Sequence, residues 1–154
     1  GTPNLAGAMA IADATEDACK NVEEHESRAY ELYRYMLDKF TDNSIHGAVI
    51  NNVLTPDKSN ANEPAHSVSA INAIMFDDIN ADSLQQYLAS KQIYVGIGGS
   101  ACASLHDFRV LDACGLSNDE ASRVVRVSFG ENTTYTDIDE FVNAVVEYKE
   151  KFVR

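Results

Sequence analysis

The sequence predicts an α+β fold, with a long N-terminal helix followed by a small sheet covered by helices. Three observations carry this prediction: a helical pattern over residues 4–40, short apolar and β-branched runs after it, and helix-capping signals between those runs. The expected order of elements is a long helix, then β, β-α-β, α, β and α. We divide the chain into a helical segment at residues 1–40 and a compact domain at residues 41–154.

The helical segment has two parts with different patterns. Pro3 and Asn4 suit a helix start. Leu5–Ala12 is apolar on every face, and a helix of that kind is normally buried on every face. The rest of the chain is too small to cover it, so we expect this part to pack against protein outside the chain. Beyond Asp17 a single apolar stripe is expected, formed by Val22, Ala29, Tyr33, Met36 or Leu37, and Phe40.

The compact domain is predicted from shorter signals. Strands are expected at Ile45–Asn51, Ser67–Phe76, Ile93–Gly96 and Val124–Phe129, with a loop at Asn52–Glu63. Ser67–Phe76 is apolar on both faces, as in a central strand. Helices are expected after an Asn80 or Asp82 cap, at Leu105–Cys114 before Gly115, after a capping box at Ser117–Glu120, and after Thr136 with Asp139. The last of these carries a stripe of Ile138, Phe141, Val142, Val145 and Phe152.

Composition excludes several function classes. Of the 154 residues, 45% are hydrophobic and 23% charged, which is typical of one globular domain with a core. A formal net charge of −12 argues against nucleic acid as a partner. No apolar run approaches the roughly 20 residues of a membrane span, and we expect no leader peptide. The cysteines are odd in number and irregularly spaced, which predicts free thiols in a reducing compartment, the cytoplasm or an organellar matrix.

Cys102 is the first candidate functional residue. It lies among glycine, serine and alanine, just before the helix expected from Leu105. A thiolate is the nucleophilic form of cysteine, and the start of a helix favours that form. Either Cys102 is a nucleophile, or it is a small residue filling a turn. Cys102 and His106 have a Cys-x-x-x-His spacing, but no further residues complete a set of metal ligands, so we predict no metal site.

Arg126 is the second candidate. Strand alternation assigns Val125, Val127 and Phe129 to the core, so Arg126 projects from the opposite face. A guanidinium in that position can bind a carboxylate through two hydrogen bonds. The alternative is an ordinary ion pair with a surface carboxylate of this acidic chain.

These motifs together resemble the C-terminal part of NifS-like (group I) cysteine desulfurases, in the class V aminotransferase superfamily of pyridoxal-phosphate (PLP) enzymes. The matches run through nearly the whole chain. They are Gly1-Thr2-Pro3-Asn4, Pro64 with the strand after it, Gly99-Ser100-Ala101-Cys102, Val110-Leu111 with Gly115-Leu116, Val125-Arg126-Val127-Ser128-Phe129-Gly130, Asn132-Thr133 and Asp137-Ile138-Asp139.

The resemblance implies the C-terminal small domain of a fold-type I PLP enzyme, with residues 1–40 as the interdomain helix leading to a PLP-binding domain that the chain lacks. It implies that Cys102 attacks the sulfur of PLP-bound L-cysteine and becomes a persulfide while alanine is released. Arg126 would bind the substrate carboxylate. Thr2 would reach the cofactor phosphate of the other subunit of a homodimer, unless it is simply a helix-start residue. A sulfur acceptor or scaffold protein, as in Fe-S cluster assembly, is a further implied partner.

Two departures from the family qualify these expectations. Seven residues separate Cys102 from Val110, a shorter spacing than is usual in group I enzymes. No lysine lies in a Ser-x-His-Lys-like setting, so we expect this chain alone neither to bind PLP nor to turn over cysteine. The alternatives are a non-catalytic binding or regulatory domain of the same fold, a class V aminotransferase or selenocysteine lyase-like fragment, and a sulfur carrier. Cys102 favours the desulfurase, because a transaminase needs no nucleophilic thiol.

Overall fold

The computed structural model describes residues 1–49, 68–98 and 108–153. Its elements are α1 (Leu5–Lys20), α2 (Val22–Asp42), β1 (Gly47–Val49), β2 (Ile71–Phe76), α3 (Ala81–Ser90), β3 (Gly96–Ile97), α4 (Arg109–Ala113), α5 (Asn118–Ala121), β4 (Val124–Ser128) and α6 (Tyr135–Phe152). This order confirms the predicted α+β class. The predicted loop at Asn52–Glu63 and the first part of the predicted Leu105–Cys114 helix lie outside the described residues.

The strands form an antiparallel sheet in the order β1-β2-β4-β3. Ile74 of β2 lies opposite Val125 of β4, and Gly96 of β3 lies opposite Arg126 of β4. The central position predicted for the second strand is confirmed, because β2 pairs with a neighbour on each side.

The two faces of the sheet carry separate cores. One face packs against α2, α3 and α6 and forms the main core, to which the sheet contributes Ile74, Phe76, Val125 and Val127. The other face forms a smaller second core with the region of α4 and α5, built from Leu111, Leu116, Ala121 and Val124 with Ala73 and Met75 beside them. Alternate side chains of β2 therefore enter different cores, which explains why its sequence is apolar at nearly every position.

The helical segment is divided at Asn21 into α1 and α2, rather than forming one continuous helix. The backbone of Asn21 (φ −112°, ψ 9°) departs from helical geometry. The buried residues of α2 are Ala29, Leu32, Tyr33, Met36 and Phe40. The ring of Phe40 lies 6.1 Å from that of Phe76 and 6.2 Å from that of Phe141. Helix α2 is thus part of the main core, whereas Val22, predicted to open the stripe, is 58% exposed.

Helix α1 begins as predicted, but its side chains are not buried by the described part of the chain. The side chain of Asn4 accepts a hydrogen bond from the amide of Gly7 at 3.0 Å and caps the helix. None of its residues is buried, and Leu5, Met9 and Ile11 are 70%, 61% and 70% exposed. The apolar surface of α1 is therefore open. None of the described helices has the combined length and apolar character needed to cross a membrane.

In the compact domain, the helix-capping predictions are confirmed at three places and wrong at one. Asn80 caps α3, Ser117 and Glu120 form a capping box at α5, and Gly115 (φ +86°) follows the end of α4. The last helix begins at Tyr135, not after Thr136, because Thr134 is its N-cap and exchanges hydrogen bonds with Asp137. Its predicted buried stripe is also shorter, since Phe152 is 61% exposed.

Asp139 joins α6 to α2. Its carboxylate accepts hydrogen bonds from the Tyr35 hydroxyl at 3.0 and 3.1 Å and forms an ion pair with Lys39 at 3.0 Å. The hydrogen bond from Lys39, followed by that from Tyr35, lowers the pKa of Asp139. The hydrogen bond to Asp139 raises the pKa of Lys39. The charged pair therefore favours the folded state.

We expect Asp139→Asn to weaken the dependence of folding stability on pH in the acid range. Because the pKa of Asp139 is lowered from its ordinary value of 3.8, its contribution is present above that pH and is lost as the pH falls through the lowered pKa. Thermal unfolding followed by circular dichroism between about pH 5 and pH 2 measures this. Asp13→Asn on the exposed α1 is the control and should leave the slope unchanged; an unchanged slope in Asp139→Asn would contradict the expectation.

Candidate functional site

The structure describes two of the three predicted site residues. Arg126 lies in β4 and is half-buried. Thr2 is exposed and precedes the N-cap of α1, and no hydrogen bond joins it to Arg126. Cys102 lies outside the described residues. The structure thus places Arg126 in a defined setting and does not bring Thr2 to it.

Arg126 projects from the predicted face of β4. Val125 and Val127 enter the main core, so Arg126 lies on the face of the second core, beyond Val124. Its two cross-strand neighbours are Ala73 on β2 and Gly96 on β3. Small residues on both sides leave space over the sheet for a long side chain.

The guanidinium of Arg126 lies across Gly96. A Cβ atom built on Gly96 would be 3.1 Å from both Nε and Nη2 of Arg126. No hydrogen bond or ion pair connects this guanidinium to another described residue. A half-buried cation whose donors are unused is costly in isolation and is well suited to receive an anion.

Two other arginines show what a structural role looks like in this fold. Arg123 donates to the carbonyl of Asp77 at 2.7 Å and to the carboxylate of Asp119 at 3.3 Å. Arg28 lies 3.6 Å from the carboxylate of Glu31 and over the ring of Tyr135. Arg126 has no such partners among the described residues, so the alternative of an ordinary surface ion pair is not seen there.

The segment that contains Cys102 is connected directly to this site. Strand β3 pairs with β4 at Arg126 and ends at Ile97; the described chain then stops at Gly98 and resumes at Phe108. Gly98 has φ +69°, a conformation that glycine adopts without strain. The Cys102 segment therefore leaves the described structure two residues after the cross-strand partner of Arg126.

The described cysteines lie elsewhere. Cys19 is exposed on α1, and Cys114 is half-buried at the end of α4, beside the second core; both are free thiols. Within the described ranges, no group of three or more His, Cys, Asp or Glu side chains is arranged to hold a metal ion.

The described lysines do not fit the anchoring of PLP. That role needs an amine that can become neutral and form a Schiff base. Hydrogen bonds to Asp139 and Glu147 raise the pKa of Lys39 and of Lys91, which is the opposite change. The other described lysines also have carboxylate partners: Lys20 with Glu16, Lys149 with Asp78, and Lys151 with Glu147.

Sequence reasoning missed Gly96 and Ala73, the neighbours that shape the surroundings of Arg126. The alternating pattern of β4 identifies the face of Arg126, but it does not say which residues of other strands lie beside it. Strand order and register decide that, and neither is written in a local pattern.

Comparisons with known proteins agree with the fold. Residues 1–141 match the aminotransferase class-V family. The cysteine desulfurase IscS of Methanosarcina thermophila is 31% identical in an alignment that covers 98% of this chain and 35% of that protein. A NifS-like protein of known structure aligns over 97% of this chain and 35% of its own, with a TM-score of 0.74 and 21% identity.

Two further structures give the same result. A NifS-like protein from Rickettsia africae has a TM-score of 0.76 and 19% identity, over 97% of this chain and 36% of its own. The cysteine desulfurase CsdA from Escherichia coli has a TM-score of 0.67 and 20% identity, over 97% of this chain and 32% of its own. At 19–21% sequence identity, the similarity to these structures establishes the fold.

The predicted resemblance to NifS-like cysteine desulfurases is confirmed by these matches. The chain spans about a third of the length of the relatives it matches, 35% in the case of IscS. The complete enzymes of the family depend on PLP. This chain belongs to the class-V aminotransferase family and has the fold of NifS-like proteins over that third of their length.

Proposed function

We propose that this chain is the C-terminal part of a cysteine desulfurase, in which Cys102 accepts sulfur from L-cysteine and Arg126 binds the substrate carboxylate. The observation that carries the proposal is the half-buried guanidinium of Arg126, which has no partner among the described residues and lies beside the strand leading into the Cys102 segment. The 31% identity to a cysteine desulfurase supports L-cysteine as the substrate.

The step proposed for Cys102 is balanced without an external oxidant. PLP in the complete enzyme supplies the electron sink that weakens the bond between the substrate's Cβ and its sulfur. The Sγ thiolate of Cys102 attacks that sulfur, so an S–S bond forms as the C–S bond breaks. The electron pair of the broken bond remains with carbon, which takes up a proton and leaves as alanine. The transferred sulfur is oxidised, the substrate carbon is reduced, and Cys102 becomes a persulfide.

Arg126 would hold the substrate in register for this attack. Two parallel N–H donors of a guanidinium bind a carboxylate with fixed orientation as well as with charge. The donors of Arg126, which have no partner among the described residues, and its setting between Ala73 and Gly96 support this role.

The remainder of the complete enzyme supplies the PLP site and covers α1. Three observations support this part of the proposal: the open apolar surface of α1, the carboxylate partners of the described lysines, and the 35% coverage of the relative.

In a homodimer, Thr2 would reach the cofactor phosphate of the other subunit, for which its exposed position is suitable. The free thiols of Cys19 and Cys114 support a reducing compartment, the cytoplasm or an organellar matrix. Delivery of the sulfur to an acceptor or scaffold protein for Fe-S assembly completes the proposal.

A class V aminotransferase is the second candidate, favoured by the family match over residues 1–141. A carboxylate-binding arginine serves either reaction. The products distinguish them, because a desulfurase converts L-cysteine to alanine whereas an aminotransferase converts it to a keto acid. Quantifying alanine and keto acid from L-cysteine, with this chain in its parent polypeptide, tests the proposal.

In that assay we expect Arg126→Ala to raise KM for L-cysteine by about 100-fold, because about 3 kcal/mol is lost with two charge-assisted hydrogen bonds. Arg126→Lys should recover only part of this, since an ammonium group cannot bind the carboxylate through two parallel donors. Arg34→Ala is the matched control, because Arg34 is exposed on α2. An unchanged KM in Arg126→Ala would remove Arg126 from the substrate site.

A further inference from the structure

Gly96 is not required by the backbone of β3. The glycines with positive φ among the described residues are Gly98 and Gly115, so the conformation of Gly96 is open to other residues. Glycine inside a strand weakens it and often marks a place where another group approaches closely. The backbone conformation therefore does not explain the glycine at this position, so the explanation must lie in the atoms that are close to it.

That space is filled by Arg126. A Cβ atom on Gly96 would lie 3.1 Å from Nε, 3.1 Å from Nη2 and 3.3 Å from Cζ of Arg126, closer than the ordinary separation of about 3.5–4.0 Å between packed heavy atoms. The strand itself is held in place. Its pairing with β4 fixes Gly96 opposite Arg126, and Gln85 of α3 donates a hydrogen bond to the carbonyl of Val95 at 2.8 Å. Because the guanidinium is at the end of a flexible side chain while β3 is held by these hydrogen bonds, we expect the guanidinium, rather than the strand, to move when a side chain is added.

We infer that Gly96 is a positioning residue for Arg126: the missing Cβ allows the guanidinium to lie against β3 in one half-buried placement. The inference rests on the proposed function only for the identity of the anion that Arg126 receives. It assigns to Gly96 the orientation of the carboxylate-binding group, a role that acts through Arg126 and not through contact with substrate.

The reaction of Arg126 with phenylglyoxal, a dicarbonyl that modifies exposed guanidinium groups, tests this in the chain itself. The rate at each arginine is followed by peptide mapping. In Gly96→Ala we expect the rate at Arg126 to rise at least about threefold as the side chain is displaced toward solvent, while the rate at the exposed Arg34 is unchanged. Gly130→Ala is the matched control, because its added Cβ would meet only the Thr133 hydroxyl oxygen, at 4.0 Å.

The same contact is also tested by comparing the effect of Gly96→Ala on stability in two backgrounds, wild type and Arg126→Ala. If the added methyl group is opposed by the guanidinium, Gly96→Ala lowers the unfolding midpoint in the wild-type background and not in Arg126→Ala. An unchanged rate at Arg126 in folded Gly96→Ala, or an equal midpoint shift in both backgrounds, would overturn the inference. Neither readout involves sulfur transfer, so a failure of the proposed function would leave these results as they are.

Discussion

Cys102→Ser is expected to lower alanine formation from L-cysteine by at least about a thousandfold when the chain is in its parent polypeptide. A serine hydroxyl is a far weaker nucleophile than a thiolate and cannot hold sulfur as a persulfide. Steady-state alanine production with excess L-cysteine and PLP measures the effect. The proposed binding of the carboxylate by Arg126 is not altered by this change, so kcat should fall while the protein remains folded.

The two other cysteines provide matched controls. Cys19 is exposed on α1 and Cys114 lies beside the second core, so neither belongs to the segment between Gly98 and Phe108. Cys19→Ser and Cys114→Ser should therefore retain turnover. Full activity in Cys102→Ser, or loss of activity in Cys19→Ser alone, would contradict the assignment of Cys102 as the sulfur acceptor.

Leu32→Ala is expected to lower the free energy of unfolding by about 2–5 kcal/mol, whereas Leu5→Ala costs less than about 0.5 kcal/mol. The substitution is the same in both cases. Leu32 is 1% exposed in the main core, and Leu5 is 70% exposed on α1. Deleting a buried side chain loses its transfer free energy and leaves a cavity, while deleting an exposed one does neither.

Denaturation with guanidinium chloride, followed by circular dichroism, gives both values. Equal losses in the two variants would mean that α1 is packed in the folded chain, contrary to the structure. Leu5→Ala should become costly only when α1 is covered by the rest of the enzyme.

Much of the fold is predictable because local patterns here agree with the tertiary structure. The stripe on α2 follows helical periodicity, and the apolar pattern of β2 matches its place between two cores. Caps such as Asn4 and Ser117 depend on neighbouring residues alone, so their sequence signals are sufficient.

The start of α6 shows where a local pattern fails. Thr134 with Asp137 and Thr136 with Asp139 have the same spacing, and either pair can form a capping box. The structure uses the first pair, and the carboxylate of Asp139 instead meets Lys39 and Tyr35 of α2. Asp139 thus contacts a residue 104 positions away in the chain, and the sequence around α6 does not show that contact.

The candidate site also has one part that a local sequence pattern predicts and one part that it does not. Alternation along β4 is enough to predict the face of Arg126, since Val125 and Val127 identify the core side. The part played by Gly96 depends on β3 pairing with β4 in one register. A glycine inside a strand indicates only that some group approaches closely, so the sequence does not show that this group is Arg126, although the site depends on the missing side chain of Gly96.

The most direct test of the proposed function is the mass of the Cys102 peptide after the parent polypeptide has reacted with L-cysteine and PLP, without a reducing acceptor. We expect one added sulfur on the peptide containing Cys102, with alanine released in equal amount, and none on the peptides containing Cys19 or Cys114. Alanine or keto acid formed without any sulfur on Cys102 would contradict it.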